Sequence, residues 1–193
     1  MSVHPVVERA AAGELPPWAE ATAQRREHMA RVASLLRAWT RELGLTVPEQ
    51  VRWISLGYLH DAMRDADAEA LRGRVPPALA GLPPSLLHGP AAAEYLRADG
   101  VDDGPLLRAV TYHTLGHVEL GREGRALYAA DFLEPGREGL RDEWRAELRA
   151  RMPHALDEVV REILGARVRH LVDSGRPIRS ETVGFWNSMA SEG

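Results

Sequence analysis

Apolar residues recur along the chain with the spacing of a helix, not that of a strand. Counting from His28, the residues Val32, Leu35, Leu36, Trp39 and Leu43 fall at offsets of 4, 7, 8, 11 and 15, and Gly44 follows at a C-cap-like position. A second helix is expected from Pro48 and Glu49 through Val51, Ile54, Tyr58 and Leu59, with His60 and Asp61 at its far end. Pro76-Pro77 and Pro83-Pro84 bracket a loop-rich stretch, after which Leu86 to Leu96 reads as a helix beginning around His88. Pro105 starts another through Leu106, Leu107, Val110 and His113, ended by Gly116, and the next runs from Glu123 to Phe132 with Leu127, Tyr128 and Asp131. After Pro153 a long amphipathic stripe extends from Leu156 to Val172 and stops near Gly175. Strand-like alternation is missing, so the expected fold class is all-α. Residues 1–17 read as a flexible N-terminal arm and residues 18–193 as one helical domain.

Composition narrows this picture. At 193 residues, 45% hydrophobic and 27% charged, the chain has the balance of one globular domain with a core of its own. A net charge of −4 argues against a dedicated nucleic-acid binder, so any anionic ligand must be met by local positive charge. All 24 basic residues are arginine, a planar cation suited to phosphate or carboxylate. Cysteine is absent, which excludes disulfides and thiolate metal sites and leaves His, Asp and Glu as the metal ligands. Neither a leader-like start nor a run of about 18 apolar residues occurs, and the expectation is a soluble, cytoplasmic protein with no membrane partner.

Residues of metal-ligand type on the predicted helical faces and ends form the series His28, His60, Asp61, His88, His113, Asp131. Four imidazoles suit iron, zinc, manganese or nickel, and two carboxylates add charge that offsets the cations, so the set could hold two metals, with Asp61 as a bridge. Each residue alone also fits an ordinary role: His28 as a satisfied core histidine, Asp131 as a helix-surface carboxylate, His113 as a partner of a helix dipole. Their common placement beside apolar stripes that should face one core is what favours the metal reading, since buried charge needs a partner. His4, His117, His154 and His170 are expected at the surface or in ordinary hydrogen bonds.

This ordered series resembles the HD-domain phosphohydrolases, a superfamily of helical metalloenzymes. Arg25-Arg26-Glu27-His28, Tyr58-Leu59-His60-Asp61, Leu86-Leu87-His88-Gly89, Tyr112-His113-Thr114-Leu115-Gly116 and the stretch from Tyr128 to Arg137 look like successive motifs of the YqeK-type symmetrical bis(5'-nucleosyl)-tetraphosphatases within it. The resemblance implies a single HD-domain helical bundle in which His28, His60, Asp61 and Asp131 are core metal ligands. His88 and His113 would complete a second metal site or contact substrate phosphates. It implies one or two metal ions per chain, iron foremost, with manganese, nickel or zinc as alternatives. The implied reaction is hydrolysis of diadenosine tetraphosphate to two ADP by a metal-activated water, with a nucleotide as the partner and a homodimer left open.

One position departs from that pattern. Many members carry lysine three residues after the HD aspartate, whereas this chain has Arg64, which can bind phosphate bidentately but cannot serve as a proton donor of tuned pKa. His60, Asp61 and Arg64 are the expected catalytic residues, Arg64 acting through charge unless Asp65 ties it into a local ion pair. Arg25, Arg64, His88, His113, Thr114 and Arg137 are the expected substrate contacts, with Thr114 equally able to finish its helix. The Gly175-Arg176-Pro177-Ile178 turn is a further candidate to close over a nucleotide. Two other functions compete: hydrolysis of a different nucleotide or phosphoester, and a nucleotide-sensing module in which the metal is only structural.

Overall fold

The computed structural model describes residues 3–136 and 142–191, and among these it contains ten α-helices and no strand. The helices are α1 (Pro5–Ala11), α2 (Ala23–Glu42), α3 (Val47–Leu59), α4 (Ala68–Arg72), α5 (His88–Ala98), α6 (Gly104–Tyr112), α7 (Arg122–Leu133), α8 (Asp142–Arg151), α9 (Leu156–Asp173) and α10 (Ser180–Ser191). Two short 3-10 turns at Pro77–Leu79 and Pro84–Leu86 occupy the proline-bracketed stretch between α4 and α5.

Local chemistry sets the helix starts. Thr22 accepts from the Arg25 backbone N–H to begin α2, and Asp103 does the same for Leu106 at the start of α6. At α3 the Glu49 carboxylate accepts from both the backbone N–H and the hydroxyl of Thr46, and Pro48 sits in the first turn, where its missing N–H costs nothing.

The apolar stripes then decide the packing. α3 lies against α1, α2, α6 and α7, and α7 against α2, α3, α6, α8 and α9, so these two helices form the middle of the bundle. Val32 and Leu36 of α2, Leu56 and Leu59 of α3, and Leu127 and Ala130 of α7 are fully shielded from water in one continuous core. Two glycines let helix backbones approach each other closely. A Cβ on Gly57 would lie 2.5 Å from the Ala33 backbone, so only glycine lets α3 cross α2 at this depth. A Cβ on Gly89 would lie 2.7 Å from the Val110 carbonyl oxygen, and its absence lets the start of α5 close onto the end of α6, bringing His88 beside His113.

Four helices go beyond the expectation from sequence. Within the stretch read as a flexible arm, Val6, Val7, Ala10 and Ala11 bury themselves along α1 against α3; seven helical residues are too few to establish a periodicity in the sequence. α4 is a single turn capped by Asp67. α8 buries Leu148 and packs the half-buried Trp144 against the core, and α10 buries Thr182, Phe185 and Met189 at offsets of 3 and 7. No helix among the described residues is long and apolar enough to cross a membrane.

A candidate metal centre beside an apolar cavity

The helices that build the core also end at one place. His28 projects from the second turn of α2, His60 and Asp61 follow α3 directly, His88 opens α5, His113 follows α6, and Asp131 lies in the last turn of α7. All six side chains are buried, His60 completely.

Their polar atoms converge on Asp61. Its Oδ1 is 3.1 Å from His88 Nε2 and 3.4 Å from His113 Nε2, while its Oδ2 is 3.6 Å from His60 Nε2 and 3.7 Å from His28 Nε2. One carboxylate thus faces two pairs of imidazoles, one pair per oxygen. Asp131 Oδ1 stands 3.2 Å from His28 Nε2 and 4.0 Å from His60 Nε2. Ligand atoms of His28, His60 and Asp131, and separately of His60, Asp61 and His113, lie within 4.8 Å of one another.

The other ring nitrogens fix the tautomers. His60 Nδ1 is 3.1 Å from the Gly57 carbonyl and His113 Nδ1 is 2.8 Å from the Val110 carbonyl, acceptors that require Nδ1–H. His28 Nδ1 is likewise 3.2 Å from Glu134 Oε1. In neutral His28, His60 and His113 the Nε2 atoms therefore carry lone pairs, yet those of His28 and His60 are 3.3 Å apart, and that of His113 is 3.1 Å from Nε2 of His88, whose Nδ1 makes no hydrogen bond. Lone pairs aimed at each other and at carboxylate oxygens repel unless a cation stands among them, and this donor set fits one or two divalent ions.

The electrostatics agree. Burial, opposed by the Asp61 charge, pushes His60 down to about 4, and burial likewise lowers His88, so both are neutral ligands near pH 7. For Asp61, burial acts to raise the pKa, but the charge interaction with His60 and the close approach of the His113 and His88 rings outweigh it and hold the carboxyl well below its ordinary range. His28 is raised: burial opposes its charge, and the hydrogen bond and charge of Asp131, with Asp61 and Glu134, prevail. The field that draws a proton to His28 would draw a metal cation equally.

Three further residues complete the surroundings. Glu134 holds His28, accepts from Arg31 Nε at 2.6 Å and from the Gly136 N–H at 2.7 Å, and fixes the ring that α2 projects inward. Arg25 Nη1 donates to Asp61 Oδ2 at 2.8 Å. Arg167, on α9, has its Nη2 3.6 Å from Asp131 Oδ2. Glu134 stands inside the motif that carried the resemblance, whereas nothing in the sequence marked Arg31 or Arg167.

Of the expected substrate contacts, Arg25, Arg64, His88, His113 and Thr114 line the same cleft, whose volume is about 600 Å³. Asp65 does not pair with Arg64; it accepts from the backbone N–H and hydroxyl of Thr22, both at 2.8 Å, and lies 3.9 Å from Arg25 Nε. Thr114 Oγ1 is 3.0 Å from His113 Nε2, so the hydroxyl belongs to the cluster's edge. Arg137 lies outside the described residues. A second cavity of about 680 Å³ adjoins the cleft, with walls that include Leu86, Tyr128, Phe132, Leu171 and Pro177. Arg176 and Pro177 of the C-terminal turn line it, and His170, expected at the surface, is exposed at its edge. The other three histidines are where they were expected: His4 caps α1, His117 stacks on Tyr112 and His154 pairs with Glu42.

An all-helical bundle with histidines and an adjacent His-Asp pair converging from helix ends is the pattern of a metal-dependent hydrolase, and the HD domain family model matches residues 25–136. The chain belongs to the HD domain family. Among curated proteins it is similar to the symmetrical bis(5'-nucleosyl)-tetraphosphatase of Halalkalibacterium halodurans, 27% identical over 108 residues that cover 55% of this chain and 56% of that one. It is similar also to the protein of the same name from Staphylococcus aureus, 28% identical over 108 residues that cover 53% of each. The chain spans about half the length of the curated relatives it matches. In fold it resembles an HD superfamily hydrolase of Clostridium acetobutylicum described as involved in NAD metabolism, with a TM-score of 0.76 and 20% identity across the whole of both chains.

Proposed function

We propose that this HD-domain hydrolase cleaves dinucleoside polyphosphates, taking diadenosine tetraphosphate to two ADP. The observation that carries the reading is the convergence of six metal-ligand side chains in an arginine-lined cleft that adjoins an apolar cavity large enough for a nucleoside. The curated relatives bear that activity in their names over the half of their length that the chain matches.

His28, His60 and Asp131 form one group that would hold a cation, and Asp61 and His113, with His88 beside them, offer further ligands. Divalent ions bound there, iron by the family resemblance, supply water activation and neutralisation of phosphoryl charge. The chain's own groups do the rest. Arg25 and Glu134 lock Asp61 and His28 in position, so little reorganisation is needed at the moment of reaction. Arg64 in the cleft offers a fixed positive charge to a bound phosphate chain.

The reaction adds water to one β-phosphorus, breaks the bridging P–O bond, and releases the second ADP as a phosphate anion with one proton lost to solvent. That leaving group is stable as an anion and needs no proton donor, which removes the requirement for a lysine acid where this chain has Arg64. Incubation of the metal-loaded protein with diadenosine tetraphosphate, with separation of products, tests the proposal: two ADP are expected, and ATP plus AMP, or no turnover, contradicts it. Parallel assays with nucleoside monophosphates, cyclic nucleotides and simple phosphoesters measure how strongly the four-phosphate chain is preferred.

A further inference from the structure

Arg167 stands where the two cavities meet. With Ser85 and Thr114 it lines both the cleft that holds the histidine cluster and the apolar cavity beside it. Any ligand with its apolar end in the cavity and a reacting phosphorus at the cluster must pass these three residues.

The guanidinium is held in a fixed plane. It lies over the Tyr128 ring, 4.6 Å from its centroid, and 5.7 Å from the centroid of Phe132. Nη1 donates to the Thr114 carbonyl at 2.8 Å. Nη2 comes to 3.6 Å from Asp131 Oδ2, an ion pair. A guanidinium has five N–H donors, and the Thr114 carbonyl takes one of them. Among the described residues the cavity it borders is lined also by Arg176 and Arg179 and by no carboxylate, so its rim favours an anion.

We propose that Arg167 is a substrate-contacting residue, gripping the phosphate chain at the junction while the apolar cavity takes the nucleoside. The inference rests on the reading of the substrate as a nucleoside polyphosphate and adds to it the residue that joins the two halves of the site. Stacking and the Thr114 bond give a pre-organised fork, which lysine cannot reproduce although it keeps the charge.

The test is a calorimetric titration of the metal-loaded full chain with ADP, for the wild type, Arg167→Met and Arg167→Lys, with metal content measured on each preparation. Arg167→Met is expected to weaken ADP binding by about tenfold or more at unchanged metal content, Arg167→Lys to fall between, and the loss with diadenosine tetraphosphate to appear in KM more than in kcat. If Arg167→Met does not fold, Arg167→Lys decides by the same criterion. ADP affinity unaltered by the substitutions, a wild type that does not bind ADP, or a loss of metal in step with the loss of affinity overturns the proposal, the last by reducing Arg167 to a support for Asp131. A wild type that binds ADP through Arg167 yet leaves diadenosine tetraphosphate intact supports the contact and refutes the dinucleoside reading.

Discussion

The histidine cluster and the seam between α2 and α3 are equally hidden from water, but they are opposite in what they require of their neighbours. At the seam, Ala33, Leu36, Leu56 and Gly57 are buried and apolar or without a side chain, and shape alone satisfies them. In the cluster, the Nε2 lone pairs of His28, His60 and His113 face each other or carboxylate oxygens at 3.2 to 3.4 Å, an arrangement that suits a cation. The contrast separates stability from function: packing completes one region, and the other offers donor atoms that could hold a metal.

Substitutions divide along the same line. Asp61→Asn keeps the shape and removes the charge that both imidazole pairs face, and hydrolysis is expected to fall by roughly a thousandfold or more, with loss of bound metal, in a turnover assay paired with elemental analysis. The melting temperature of its metal-free form should move less than that of Leu36→Ala. Retained metal and turnover in Asp61→Asn would place the chemistry elsewhere.

Leu36→Ala acts on the other region. Removing a fully buried leucine from the α2 stripe should cost about 2–5 kcal/mol of stability, read as a lower urea midpoint, while the folded fraction binds metal with the wild-type stoichiometry. Loss of metal from protein still folded would break the separation.

Glu134→Gln probes the boundary between the regions, since Glu134 meets the cluster at His28 Nδ1. Replacing the carboxylate weakens the hold on Nδ1–H of His28, and metal affinity is expected to drop about 10–100-fold with little change in melting temperature. An unchanged affinity in a metal titration would show that the α2 backbone alone orients His28.

The two regions also differ in how far the sequence discloses them. Periodicity places α2, α3, α5, α6, α7 and α9, because each carries a stripe long enough to exceed chance. It passes over α1, whose seven residues leave too few repeats, and α8, whose polar surface hides Leu148. The cluster is legible through residue type: histidine and aspartate at helix ends are uncommon enough to be noticed, and all six come together. Arg167 is invisible by the same logic, being one of 24 arginines and distinguished only by what α9 packs it against. The apolar cavity is equally hidden, because its walls come from the stretch before α5, from α7, α9 and the turn before α10, which no local pattern connects.

The sharpest expectation is that the cluster binds a divalent cation within the helical core. Metal titration of the chelator-treated chain, followed by calorimetry, tests it most directly. One or two ions bound per chain are expected, with a rise in melting temperature that chelator reverses and that Asp61→Asn abolishes, corresponding to about 2.7 kcal/mol at a hundredfold excess over Kd. A chain that binds no divalent ion, or whose melting temperature rises as much in Asp61→Asn as in the wild type, would contradict it.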